Sequence, residues 1–87
     1  MVKRMERVFK GVANRNRVKI LEYIAKENET TLWQISQGLD MNFKNVSQHS
    51  ARLEKSGLIE KHYIGSSVIH SLTPYGEKIY NFIKTFN

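Results

Sequence analysis

The chain has 87 residues, of which 14 are lysine or arginine, 8 are aspartate or glutamate and none is cysteine, giving a formal net charge of +6. This length predicts a single domain over residues 1–87 with a small hydrophobic core, and the lack of cysteine excludes disulfides and thiolate metal sites. Such a core needs close packing or a second copy of the chain. We find neither a run of about 18 apolar residues nor a signal peptide, so we expect a cytoplasmic protein with no membrane partner.

The positive charge is concentrated at the start of the chain. Residues 1–19 contain seven basic residues and one acidic residue, whereas residues 20–87 contain seven of each. This asymmetry is typical of proteins that bind a polyanion, either nucleic acid or an anionic membrane. A solvated helix face has the same composition, so charge alone does not choose between these interpretations.

Two helices are predicted at the start of the chain, over about residues 2–13 and from Asn14 to about residue 27. In the first, apolar residues follow the i, i+3, i+4, i+7 spacing that lines one helix face. In the second, Asn14 is a favourable N-cap, and a broader apolar set indicates a more buried helix. The apolar residues are Met5, Val8, Phe9 and Val12 in the first helix, and Val18, Ile20, Leu21, Ile24 and Ala25 in the second.

Capping sequences predict the next two helices. Residues 31–34, Thr-Leu-Trp-Gln, match a capping box, in which the threonine and glutamine side chains each accept a hydrogen bond from a free backbone N–H. This third helix ends within residues 38–42. Asn42 is the predicted cap of a fourth helix that reaches about Ser56, with Gly57 as its left-handed terminator. The apolar stripe of the third helix is Leu32, Ile35, Ser36 and Leu39.

The hydrophobic period changes after Gly57. Residues 58–64 and 67–73 are rich in β-forming residues, and the Gly-Ser-Ser segment between them predicts a hairpin. A last helix begins at Thr73-Pro74, because threonine caps well and proline is tolerated at the first helical position. Its broad apolar face consists of Tyr75, Ile79, Phe82, Ile83 and Phe86.

The order of these elements predicts a fold. The third and fourth helices are joined by only a few residues, as in a helix-turn-helix, whose second helix enters a DNA major groove while the first braces it. A hairpin directly after the second helix makes the motif a winged helix. The predicted fold is therefore mainly α with a small β-hairpin, in the order helix-helix-helix-helix-strand-strand-helix.

Three stretches carry a family resemblance. VANRNRVKIL at residues 12–21 and VSQH at 46–49, continued by Leu53 and GLI at 57–59, resemble the ArsR-type winged-helix transcriptional regulators. LTPYG at 72–76 resembles the strand-to-helix junction of many archaeal and bacterial winged-helix regulators. The resemblance implies a homodimer, built through the first and last helices, that binds a near-palindromic operator. The candidate dimer residues are Met5, Val8, Phe9, Val12, Ile79, Phe82, Ile83 and Phe86.

The chain also departs from the family pattern. Arg15 replaces a frequent proline, and Ser50 replaces a common leucine, which predicts a looser core under the fourth helix. The hairpin tip lacks the arginine often found there. The third helix has no Cys-x-Cys, so the metal site of the arsenic and cadmium sensors is absent.

The fourth helix, over about residues 43–56, is the predicted reader of DNA bases. When Val46 and Leu53 point inward, a set of polar side chains lies on its outer face. Asn and Gln pair bidentately with adenine, and Arg or Lys with guanine, each contact giving roughly 1–3 kcal/mol of discrimination. Phe43 is expected either to touch a thymine methyl or to pack over the turn. The candidate base-reading residues are Lys44, Asn45, Ser47, Gln48 and Arg52.

Other residues are candidates for phosphate contact. Basic residues of the first two helices would add affinity that depends on salt but not on sequence. Arg17 is expected either to bind phosphate or to form a structural ion pair. Trp33 lies one position off its helix stripe and is expected to pack against a neighbouring helix or to contact DNA or a dimer partner. The candidate backbone-binding residues are Arg15, Arg17, Thr31, Lys55, Lys61 and Ser66.

We predict no cofactor, metal site or enzymatic activity. The sequence has no phosphate-binding glycine loop, metalloprotease pair or nucleophile elbow. His62 faces His70 across the hairpin if the loop has three residues and Ile69 if it has two, and two imidazoles alone make a poor zinc site. The leading prediction is a sequence-specific homodimeric regulator that binds double-stranded DNA. The alternatives are a non-specific, chromatin-like nucleic-acid-binding protein and a winged helix used for protein interaction.

Overall fold

The computed structural model describes residues 2–86 and confirms the predicted order of five helices and one hairpin. The elements are α1 (Val2–Val12), α2 (Arg15–Glu27), α3 (Leu32–Leu39), α4 (Phe43–Lys55), β1 (Ile59–Ile64), β2 (Ser67–Leu72) and α5 (Pro74–Lys84). Gly57, with φ of 80°, follows α4 as the predicted left-handed terminator.

The predicted helix caps form as side-chain hydrogen bonds. Asn14 and Asn42 each accept from two backbone N–H groups at the start of α2 and α4. At α3, Thr31 Oγ1 accepts from the Gln34 backbone N–H at 3.1 Å, while Gln34 Oε1 accepts from that of Thr31 at 2.9 Å. Thr73 caps α5. Each cap satisfies donors that a helix end would otherwise leave free.

A tight turn joins α3 to α4. Asp40 ends α3 in the left-handed conformation, with φ of 52°. The Ser36 hydroxyl donates to the Met41 carbonyl oxygen at 2.6 Å, and the Met41 backbone N–H donates to the Ser36 carbonyl at 3.0 Å. Ser36, predicted as part of an apolar stripe, is therefore a buried polar residue that fixes the path of the turn.

The hydrophobic core centres on α2, whose Ile20, Leu21 and Ile24 are fully buried. Side chains from α1, α3, α4 and the start of β1 surround them. Within residues 2–86, the buried hydrophobic residues of this core are Val8, Ile20, Leu21, Ile24, Ile35, Val46, Leu53, Leu58 and Ile59.

The hairpin has a two-residue loop, so His62 lies opposite Ile69, and Lys61 lies opposite His70. The structure thus selects one of the two predicted registers. A further contact was not predicted: Thr30 and His70 exchange two backbone hydrogen bonds of 3.1 and 2.7 Å. This single bridge attaches the hairpin to the segment that leads into α3.

Candidate nucleic-acid interface

The outer face of α4 is polar and exposed. Val46, Ser50 and Leu53 are buried on the opposite side, which fixes the rotation of the helix. Four of the candidate base-reading residues are exposed, and the fifth, Ser47, is half-buried at the edge of the face. The four exposed candidates are Lys44, Asn45, Gln48 and Arg52.

Two further residues complete this outer face. Ala51 and Lys55 are exposed at three and seven positions after Gln48, a spacing that puts them on the same side of a helix. Lys55 was predicted to bind phosphate, whereas Ala51 was missed, because a small apolar residue in a helix carries no signal of its own. A methyl group there is suited to contact with a thymine methyl.

Basic side chains of α1 and the last turn of α4 line one cleft of about 520 Å³. We call it the basic cleft and define it by Lys3, Arg7, Lys10, Arg52 and Lys55. Glu6 also lines it and lies 3.3 Å from the Lys10 ammonium group. The excess charge of the first helix therefore adjoins α4 instead of being spread over a distant surface.

Arg17 lies between α1 and α4 and extends the positive field. Its Nη2 donates to the Lys10 carbonyl oxygen at 3.4 Å, and its Nε is buried without a hydrogen-bond partner in the described part of the chain. Within residues 2–86 no carboxylate lies close enough to form an ion pair with Arg17, so the structure does not contain the predicted structural ion pair. Desolvation first, and then the charges of Arg17 and Arg52, lower the pKa of His49 on α4.

The remaining phosphate candidates lie in different settings. Arg15 is exposed at the start of α2, and Ser66 is exposed at the hairpin tip. The Thr31 hydroxyl oxygen is already engaged in its capping box. Lys61 lies 3.5 Å from a carboxylate oxygen of Glu54, which offsets part of its charge.

Exposed aromatic rings line a second cleft between the α3 and α4 N-termini and the hairpin, with a volume of about 470 Å³. Trp33 is 62% exposed, so the predicted packing against a neighbouring helix is wrong. Phe43 is 47% exposed and Tyr63 is 71% exposed. Tyr63 was missed, because alternate residues of a strand look alike until the register is known.

An apolar surface extends over α1 and α5. Four of the candidate dimer residues are exposed, namely Met5 and Phe9 on α1, Phe82 on α5 and Phe86 just after α5. The others belong to the chain's own packing: Val8 is buried, and Val12, Ile79 and Ile83 pack partly buried against the core. Phe82 and Phe86 contact each other edge to face, with ring centroids 5.2 Å apart.

Neither a metal centre nor a membrane-spanning helix is present within residues 2–86. No three potential ligand side chains converge there as a metal site would need. None of the helices in this part of the chain has both the length and the apolar composition required to cross a membrane.

Sequence and structure comparisons show which known proteins this chain resembles. The profile of the bacterial regulatory proteins of the arsR family matches residues 14–61, from α2 into β1. No curated protein sequence matches significantly. The winged helix-turn-helix domain of a possible ArsR-family regulator from Mycobacterium bovis, a homodimer, aligns with a TM-score of 0.88 and 22% identity over 98% of this chain and 79% of that one.

Two other solved structures are similar. The transcriptional repressor PagR of Bacillus anthracis has a TM-score of 0.87 and 23% identity over 99% of this chain and 95% of its own. FabT of Streptococcus pneumoniae, solved in complex with DNA, has a TM-score of 0.76 and 23% identity over 90% of this chain and 61% of its own. Since the family profile covers more than half of the sequence, this chain belongs to the ArsR family of winged-helix transcriptional regulators.

Proposed function

We propose that the protein is a homodimer that binds double-stranded DNA sequence-specifically, with α4 in the major groove of a near-palindromic operator. The observation that carries this proposal is the outer face of α4. Four of its five candidate base-reading side chains are exposed, while Val46 and Leu53 anchor the helix in the core. A helix held in this way presents hydrogen-bonding groups in fixed positions, as direct readout requires.

The mixed chemistry of this face supports specific over non-specific binding. Asn45 and Gln48 each carry a donor and an acceptor, the pair that matches the major-groove edge of adenine. Lys44 and Arg52 match guanine. A protein that only coats DNA needs positive charge but no amide side chains. The DNA complex of the FabT neighbour adds support for this use of the fold.

Dimerisation is supported by the apolar surface of α1 and α5. Phe9 on α1 is 48% exposed, Phe82 on α5 is 52% exposed, and Phe86, two residues after α5, is 74% exposed. Removing these rings from water favours association, and a two-fold axis would present two copies of α4 to a palindrome. The homodimeric state of the Mycobacterium bovis neighbour supports the same arrangement.

Selection from a pool of random duplexes at two salt concentrations, with molar mass measured in parallel, tests this function. We expect a dimer and an enriched site with two half-sites whose centres lie about 10 base pairs apart. Equal binding to random and selected duplexes would instead indicate a chromatin-like coating protein. Absence of binding at low salt would indicate a protein-interaction module. A monomer without an enriched site would overturn the proposal.

A further inference from the structure

Two rows of positive charge converge in the basic cleft. Lys3, Arg7 and Lys10 recur about once per turn along α1, and Arg52 and Lys55 do so on the last turns of α4. Glu6 is the only acidic residue among those that line the cleft in residues 2–86. Five cations held beside one carboxylate create a local positive potential that a bound polyanion would relieve.

We propose that the basic cleft is a binding site for phosphate groups, and that in the DNA complex these are backbone phosphates at the edge of the major groove that α4 enters. The DNA source of the phosphates rests on the proposed function. The phosphate chemistry of the cleft does not, because it follows from the side chains that line it.

The cleft continues the outer face of α4. Gln48, Arg52 and Lys55 follow one another at four and three positions, so this line extends about 10 Å along the helix. Its first residue can reach base edges, and its last lies in the cleft opposite α1. A helix lying in the major groove has the phosphate backbone beyond its ends, which is where α1 adds its row of cations.

Contacts between helices hold the two rows in place. Gly11 packs against the Ser56 side chain so closely that a Cβ atom at position 11 would overlap it, which holds α1 close to the end of α4. The hydrogen bond from Arg17 to the Lys10 carbonyl ties α2 to the same turn of α1. The cations are therefore presented by two helices, α1 and α4, that pack on the same core as α2, which reduces the ordering needed when an anion binds.

Charge variants of the full chain test the proposal through salt dependence. The measurement is the binding constant for a random-sequence duplex at several salt concentrations. The slope of log K against log salt is negative, and we expect Arg7→Gln and Lys55→Gln each to reduce its magnitude by about 0.9, the value for one phosphate contact. Glu6→Gln should instead strengthen binding. The matched control is Lys26→Gln, at an exposed position in the last turn of α2. It should change neither the binding constant nor its dependence on salt.

A second measurement uses tripolyphosphate as a free anion. Melting temperatures are compared in tripolyphosphate and in sodium chloride of equal ionic strength. We expect tripolyphosphate to stabilise the wild type, Glu6→Gln to enhance this effect, and Arg7→Gln and Lys55→Gln to reduce it.

The two measurements together distinguish DNA backbone phosphates from a free polyphosphate as the ligand of the basic cleft. Unchanged DNA slopes with a charge-dependent tripolyphosphate effect would assign the cleft to a free polyphosphate and overturn the backbone contact. Absence of any DNA binding would overturn the proposed function. The tripolyphosphate measurement would then still show whether the basic cleft binds phosphate groups. Unchanged slopes and no tripolyphosphate effect would overturn the phosphate site altogether.

Discussion

Gly11 of α1 packs directly against Ser56, the C-cap residue that follows α4. A methyl group added at Gly11 would overlap the Cβ and Oγ atoms of Ser56. Ser56 cannot withdraw by a simple rotation, because its Cβ is fixed to the backbone and its hydroxyl donates to the Arg52 carbonyl at 2.9 Å. This contact sets the distance between α1 and α4, and with it the width of the basic cleft.

We therefore expect Gly11→Ala to destabilise the protein by about 1–3 kcal/mol, as overpacked sites do. Alanine favours a helix over glycine by about 1 kcal/mol, but the clash with Ser56 outweighs that gain. Urea unfolding measures the effect. The double variant Gly11→Ala/Ser56→Gly, which restores the space, should recover most of the lost stability. A double variant no more stable than Gly11→Ala would show that the contact is not the cause.

Replacing two buried serines by alanine is expected to change the stability of the protein in opposite directions. Ser50 is 2% exposed and its hydroxyl has no hydrogen-bond partner among residues 2–86, whereas the Ser36 hydroxyl donates to the Met41 carbonyl. Ser50→Ala should leave stability unchanged or raise it by up to about 1 kcal/mol, since it removes an unsatisfied polar group. Ser36→Ala should cost about 1–2 kcal/mol, because the Met41 carbonyl loses its donor. Urea unfolding of the two variants measures the sign of each stability change.

The elements that the sequence predicts well are those determined by neighbouring residues. Asn14, Thr31, Asn42 and Thr73 identify helix starts because a cap acts on residues two or three positions away. The core face of α4 also follows from spacing alone, since Val46 and Leu53 are two turns apart.

The features that were missed depend on distant residues. The Thr30–His70 bridge joins positions 40 residues apart through backbone atoms, so no side-chain pattern marks it. The exposure of Trp33 depends on where the hairpin lies. The basic cleft needs the crossing of α1 and α4, which Gly11 permits. A glycine in a predicted helix was the only local sign of that crossing.

Dimerisation through α1 and α5 can be tested by substituting one charged residue at a time into the apolar surface. Phe9→Asp and Phe82→Asp each place a carboxylate on the apolar surface, so both should convert the dimer to a monomer at micromolar concentration while keeping the helical circular dichroism spectrum. Phe43→Asp is the matched control, since Phe43 is equally exposed but lies beside the hairpin. Sedimentation equilibrium measures the mass. Loss of the dimer in all three variants, or in none, would contradict this interface.

Stability should fall as the solution becomes acidic. Burial lowers the pKa of His70 below 6.5, with Glu54 opposing and Lys61 adding to the shift, and desolvation likewise lowers the pKa of His49. The unfolded chain therefore binds more protons near and below pH 6.5, so the unfolding free energy rises with pH through that range. This stability is fully present well above pH 6.5 and is lost progressively below it.

The measurement for this pH effect is urea unfolding between pH 5 and pH 8. The double variant His49→Gln/His70→Phe lacks both titrating rings, so its unfolding free energy should vary less with pH than that of the wild type. An equal pH dependence in the two proteins would assign the effect to other groups.

Gln48 is expected to contribute to base recognition without contributing to the fold. Its side chain is exposed at the centre of the outer face of α4, and truncation to alanine leaves the core unchanged. Gln48→Ala should therefore weaken binding to a selected operator by about 1–3 kcal/mol, the discrimination of one bidentate contact, and affect random DNA much less. The matched control is Gln37→Ala, an exposed glutamine of α3 outside that face. Equal affinity of wild type and Gln48→Ala for the operator, with equal melting temperatures, would remove Gln48 from the reading face.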